Sequence, residues 1–140
     1  MSVDAYLNFN GNCREVVDYY ADVFETDKPK FQTFGDMPAH PDYPLPEEAK
    51  SMIMHARLTI SGSNVMFSDV FPGMPFTVGN NISLAVVTDD REEIERAFNR
   101  LREGGSVAME LQQTPWSALY GQVTDRFGIL WQFNLGIGEM

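Results

Sequence analysis

The feature that most constrains this chain is a switch of hydrophobic period, from two residues to 3.6 and back to two, that occurs twice along its length. In Ala5-Tyr6-Leu7-Asn8-Phe9 the residues Ala5, Leu7 and Phe9 alternate with Tyr6 and Asn8, as one strand requires. Asn10-Gly11-Asn12 ends that strand. Asn12 followed three positions later by Glu15 has the spacing of a capping box, in which the Asn side chain accepts an early helical N–H and the Glu reaches back. Val16, Val17, Tyr20, Val23 and Phe24 then trace one face of a helix that must stop before Pro29. Beyond Phe31 to Phe34, the stretch 35–48 holds Pro38, Pro41, Pro44 and Pro46, whose fixed φ and missing N–H exclude helix interior and central strand. A loop of that length in a compact domain carries function or moves. Residues 52–60 alternate again, with Met54, Ala56, Leu58 and Ile60 on one side and Ile53, His55, Arg57 and Thr59 on the other. Ser61-Gly62-Ser63 turns the chain into a partner strand, Val65-Met66-Phe67.

The pattern restarts with a strand over 82–87, a second box-like pair in Asp90 and Glu93, and a helical stripe of Ile94, Ala97, Phe98 and Leu101 closed by Gly104-Gly105. Strands over 107–111, 119–124 and 129–135 follow, the last two joined by the turn Asp125-Arg126-Phe127-Gly128. The cap positions Asn12 and Asp90 lie 78 residues apart, yet the halves share little residue identity, so what repeats is the order of elements. The expectation is an α+β fold of two tandem βαβββ modules, at 3–75 and 79–137, in one domain spanning 1–140. At 140 residues and 44% apolar content the chain can bury one core and is too short for two ordinary domains.

Twenty acidic against ten basic residues give a formal charge of −10, which repels a phosphate backbone and leaves no Lys/Arg stripe for nucleic acid. The same excess of acid either keeps the protein soluble or draws a cationic ligand into a cleft. No apolar run approaches membrane-spanning length, no basic-then-apolar leader opens the chain, and Cys13 is the lone cysteine. A cytoplasmic protein without nucleic-acid or membrane partners is expected.

Several motifs resemble the glyoxalase/bleomycin-resistance (vicinal oxygen chelate) superfamily, and its PhnB-like, demethylubiquinone methyltransferase-like branch in particular. They are Tyr6-Leu-x-Phe-x-Gly11, Glu15 with Tyr19-Tyr20 and Phe24, His55-Ala-x-Leu-x-Ile-x-Gly62 and Ser68-Asp69. The most specific segment reads Thr114-Pro115-Trp116, Tyr120-Gly121-x-Val-Thr-Asp125-x-Phe127-Gly128 and Trp131-x-Phe133-Asn134. The resemblance covers nearly the whole chain. It implies a U-shaped mixed sheet with a concave ligand-holding face, association of two chains into a homodimer, and in many relatives a divalent metal. Because the superfamily spans isomerases, lyases, dioxygenases, transferases and metal-free drug-sequestering proteins, fold does not fix the reaction.

Carried over position by position, the relatives' metal ligands fall near Ala5 or Tyr6, near Ser68, near Asn81 or Ser83, and at Gln132. Gln132 stands four residues after Gly128, where metal-binding relatives place a Glu, and a neutral amide attracts a divalent cation far less than a carboxylate does. His55, Asp69 and Gln132 are the remaining metal candidates, and His55 reads equally as a strand histidine bonded to a neighbour. His40, among prolines, reads as exposed. Trp131 and Phe133 share one strand face and are expected to pack on a helix, which leaves Gln132 and Asn134 toward the cleft. Trp116, in a Pro-containing loop, is the better candidate for a ligand wall. Cys13 at a helix start has the setting of a reactive thiol, but it extends the apolar stripe and reads as buried structure.

The ligand-binding candidates are thus Asn8, His55, Ser68, Asp69, Trp116, Tyr120 and Gln132. The expected function is binding of a small organic molecule without a standard metal site or assured cofactor. The alternative is a divergent divalent-metal-dependent isomerase, lyase or dioxygenase. Methyl transfer is disfavoured, since no Gly-rich strand-to-helix loop of the nucleotide-cofactor type is present.

Overall fold

The structure, a computed structural model, describes residues 1–38, 42 and 44–136. They form two compact units, Met1–Thr77 and Val78–Met140. The first unit runs β1 (Ala5–Phe9), α1 (Cys13–Val23), β2 (Phe31–Thr33), β3 (Ile53–Ile60) and β4 (Ser63–Asp69), with 3-10 turns at Phe34–Asp36 and Glu47–Ala49. The second runs β5 (Ser83–Thr88), α2 (Arg91–Leu101), β6 (Ser106–Thr114), β7 (Ser117–Thr124) and β8 (Leu130–Leu135). Each is therefore the expected βαβββ module.

Both sheets have the same topology, β1-β4-β3-β2 and β5-β8-β7-β6, in which the first and fourth strands pair in parallel and the others antiparallel. Each helix buries its predicted stripe on one sheet face. Val16, Val17, Tyr20 and Val23 of α1 and Ile94, Ala97, Phe98 and Leu101 of α2 are all fully or nearly fully buried. Tyr20 meets Phe67 with ring centroids 5.9 Å apart, and Phe98 meets Phe133 edge-on at the same separation. A Cβ at Gly121 would come within 2.8 Å of Leu111 Cδ2 and 3.0 Å of Phe98 Cε2, so the missing side chain is what lets α2 lie so close to β7. Ser61 and Gly62, at φ of 49° and 87°, make the two-residue turn whose twist matches the β3–β4 hairpin. Among the described residues no helix is long and apolar enough to cross a membrane.

Four local expectations need correction. Asn12 precedes α1 but makes no side-chain capping bond; the bonds that serve this helix start come from Asp69. Ile53, expected to share the face of His55, is 1% exposed, because β2 pairs with Ile53 and His55 through an irregularity that skips Met54 and breaks the alternation. β4 extends to both sides of the expected Val65–Phe67 core, and β6 runs on to Thr114. Thr114 pairs with Ser117, so the Pro-containing loop that carries Trp116 is shorter than the preceding strand limit implied, a two-residue hairpin tip of Pro115-Trp116.

Candidate functional site

Strand alternation gives each sheet one face covered by its helix and one free of it. In the first unit the register places Asn8 beside Ser68, Tyr6 and Arg57 beside Met66, and Gln32 beside His55 on the helix-free face. The Ser68 hydroxyl donates to Asn8 Oδ1 at 3.3 Å, joining two of the candidates. The Tyr6 hydroxyl lies 3.5 Å from His55 Nδ1, spanning β4 from the strands on either side, with the rings 6.0 Å apart. This Tyr6 contact was not foreseen. Two-residue periodicity placed Tyr6 and Asn8 on one face, but nothing local encodes which strand lies two places away.

Asp69 behaves differently. It follows Ser68 directly and so faces the other way, toward the start of α1. Its Oδ1 accepts from the N–H of Gly11 at 2.8 Å and of Cys13 at 3.0 Å, and its Oδ2 from Ile53 N–H at 2.9 Å, while the residue is 4% exposed. One buried carboxylate thereby ties the β1–α1 junction to the start of β3. The Cys13 thiol beside it is buried, and its pKa is pushed up to about 12 by burial first and the Asp69 charge second, against a smaller opposing pull from Arg14. This is the reverse of the activation that a helix N-terminus gives an accessible thiol.

In the second unit the helix-free face carries a connected set of neutral polar groups. Gln132 Nε2 donates to Ser83 Oγ at 2.6 Å, Gln132 Oε1 accepts from the Tyr120 hydroxyl, and that hydroxyl accepts from Gln122 Nε2 at 3.1 Å. Registers explain the convergence. Gln132 stands opposite Gln122 on β7 and Ala85 on β5, and Tyr120 stands opposite Asn134. Trp116, 53% exposed at the hairpin tip, meets the Tyr120 ring edge-on with centroids 5.4 Å apart. Asn134, on the same face, has a buried Oδ1 without a hydrogen-bond partner among the described residues. The opposite face is filled as expected. Trp131 is 2% exposed and its Nε1 donates to Asp125 Oδ2 at 2.9 Å, while Phe133 packs on Phe98.

The donor set does not suit a divalent cation within either unit. His55 lies on the helix-free face of the first sheet and Asp69 on the helix-covered face with both oxygens accepting backbone N–H bonds. Gln132 belongs to the second unit, and its amide oxygen is turned to a phenol. Among the described residues no three His, Cys, Asp or Glu side chains gather as a metal site would need. His40 lies outside the described residues.

The profile of the family described as 3-demethylubiquinone-9 3-methyltransferase matches residues 2–134. Protein YjdN of Escherichia coli is 30% identical over 141 residues, covering 96% of this chain and 95% of YjdN. The crystal structure of protein PA1353 from Pseudomonas aeruginosa superposes with a TM-score of 0.82 at 39% identity, covering 96% of each chain. A protein from Bacillus cereus described as a PhnB protein and putative 3-demethylubiquinone-9 3-methyltransferase superposes at 0.71 with 26% identity, over 97% of this chain and all of the other. At 9% identity, where likeness speaks of the fold alone, a fosfomycin resistance protein FosX mutant from Listeria monocytogenes, complexed with Mn(II) and 1S,2S-dihydroxypropylphosphonic acid, superposes at 0.64 over 99% of this chain and 94% of that one.

Proposed function

This chain belongs to the family described as 3-demethylubiquinone-9 3-methyltransferase, a PhnB-like branch of the glyoxalase/bleomycin-resistance superfamily, and from that premise we propose that it binds a small organic molecule. The binding surface is the helix-free face of the second unit. The observation that carries this reading is the Ser83–Gln132–Tyr120–Gln122 chain of hydrogen bonds beside an exposed indole. Small-molecule sites are mostly apolar and aromatic walls with a few fixed polar groups, and Trp116 with Tyr120 supplies the wall. Gln132, held at both ends of its amide, supplies fixed polarity where relatives of the metal-using kind carry a carboxylate. Ser83, also carried over as a ligand position, is spent on Gln132. A few fixed polar groups beside an aromatic wall are suited to orienting a bound ligand.

The methyl transfer in the family's description finds no matching feature at the strand-to-helix junctions. These carry Asn10-Gly11-Asn12 and Asp89-Asp90 in place of a glycine-rich loop.

The test is a thermal-shift and tryptophan-fluorescence screen of chelator-stripped protein against neutral and cationic aromatic compounds. The expected result is saturable stabilisation that changes Trp emission and weakens about tenfold or more in Trp116→Ala and Gln132→Ala, on the scale of losing one aromatic contact or hydrogen bond. The reading falls if no compound stabilises the protein. It also falls if one equivalent of Mn(II), Ni(II) or Zn(II) does so and turns on lyase, isomerase or dioxygenase activity.

A further inference from the structure

The first unit is strongly acidic, with eleven Asp and Glu against five Lys and Arg over residues 1–77. Three of those five cations nevertheless line one groove. Lys28, Lys30 and Arg57, with His55 and Thr59, surround a cavity of about 610 Å³ in which Asp27 is the one carboxylate of the lining. The other two cations of the unit are engaged elsewhere. Arg14 stacks over the Phe31 ring at 4.5 Å, and Lys50 pairs with Glu47 at 2.8 Å. Among the described residues Lys28, Lys30 and Arg57 form no ion pair.

The fold explains the gathering. β2 is a three-residue edge strand entered through Thr26 to Lys30, and Pro29 fixes the backbone between the two lysines. β3 lies next to β2 and turns His55, Arg57 and Thr59 to its helix-free face. In a chain of charge −10, three unpaired cations on one wall repel one another and are relieved by an anion.

We propose that this groove binds the dianionic head of a small phosphate monoester. Lys28, Lys30 and Arg57 against Asp27 leave two net positive charges, matching a doubly ionised phosphoryl group. Arg57 offers a planar fork suited to two phosphoryl oxygens, the lysines are mobile point charges, and Thr59 adds a hydroxyl. A cavity of about 610 Å³ is far larger than a phosphate ion and accommodates the organic remainder of the ligand. The acidic surface elsewhere repels anions at long range, so recognition depends on direct contact in the groove.

Isothermal titration of the full chain with phenyl phosphate, inorganic phosphate and benzyl alcohol tests this. Phenyl phosphate is expected to bind saturably and inorganic phosphate several-fold more weakly, both with affinity falling as salt rises, whereas any binding of benzyl alcohol should be unchanged by Arg57→Gln. Arg57→Gln and the double change Lys28→Gln/Lys30→Gln should each weaken phenyl phosphate about tenfold or more, and Arg57→Lys less than Arg57→Gln. All three residues are exposed, so these variants keep the fold, which circular dichroism verifies. Trp116→Ala and Gln132→Ala should leave phosphate binding unchanged, which separates this site from the one proposed on the second unit. Absence of saturable binding, equal binding by wild type and charge variants, or equal binding of inorganic phosphate and phenyl phosphate would overturn the assignment.

Discussion

The two units share element order, strand order and parallel first-to-fourth pairing, but they secure the start of their helices in opposite ways. In the second unit the cap is local. Asp90 accepts from the N–H groups of Glu92 at 3.1 Å and Glu93 at 3.3 Å, and Glu93 reaches back to the Thr88 hydroxyl, which accepts from Asp90 N–H. In the first unit the acceptor is Asp69, separated from Cys13 by 56 positions and delivered by the last strand of the module. The buried carboxylate of the second unit, Asp125, stays local too, accepting from Phe127 N–H, Ile129 N–H and Trp131 Nε1. One topology therefore tolerates either a self-sufficient helix start or one that depends on a distant strand.

The largest effect that can break this comparison is at Asp69. Asp69→Ala removes the acceptor of three backbone donors, two of them in buried bonds, and should cost about 3–5 kcal/mol in urea unfolding. Asp69→Asn keeps one acceptor oxygen and sets an amide donor against a backbone donor, so an intermediate loss is expected. A cost below about 1 kcal/mol for Asp69→Ala would mean that water or nearby backbone satisfies those groups as well as the carboxylate does.

A smaller effect sharpens the same point through Cys13. Its thiol is pushed up to about 12 from an ordinary 9.0, chiefly by burial and then by Asp69. Because the folded value is raised, the native state keeps its proton where the unfolded chain has lost it. The associated stability is complete below pH 9.0 and drains away as pH rises toward about 12. Denaturant titrations between those limits should show a decline that Cys13→Ala reduces, and iodoacetamide should label the native thiol about a hundredfold more slowly than the unfolded one. Rapid native labelling at neutral pH would contradict a thiol sealed under Asp69.

What could be read in the sequence divides along the same line between local and distant. The helix stripes, the Asp90 cap, the Ser61-Gly62 turn and the assignment of Trp131 and Phe133 to the helix side all follow from residues within a few positions of one another. So does the opposite facing of Gln132. The misreadings are where a distant group prevailed. Asp69 replaced Asn12 at the first helix, and an irregularity against the edge strand β2 turned Ile53 inward. The His55–Asp69 pairing joined two residues that alternation on separate strands sends to opposite faces. Of the candidate set, the structure brings Asn8 to Ser68, and Tyr120 to Gln132 and Trp116. The contacts Tyr6 to His55 and Ser83 to Gln132, and the gathering of Lys28, Lys30 and Arg57, depend on strand order, which no short window of sequence contains.

The smallest effect is the most direct comparison of the two helix starts. Asp90→Ala removes a side chain that accepts two early helical N–H bonds and sits at the positive end of α2, so a loss of about 1 kcal/mol is expected. Asn12→Ala removes a side chain with the right residue type and spacing but no capping bond, and should cost no more than a few tenths of a kcal/mol. In the Asp69→Ala background the order should change. With the strand carboxylate gone, Asn12 holds the N-cap position with a side chain able to accept from the first turn of α1, so Asn12→Ala should become more costly there than in the wild type, a coupling that a double-mutant cycle reads directly. Equal costs for Asn12→Ala in both backgrounds would show that the Asn12–Glu15 pair is no latent cap, and that the first module's helix start depends wholly on its last strand.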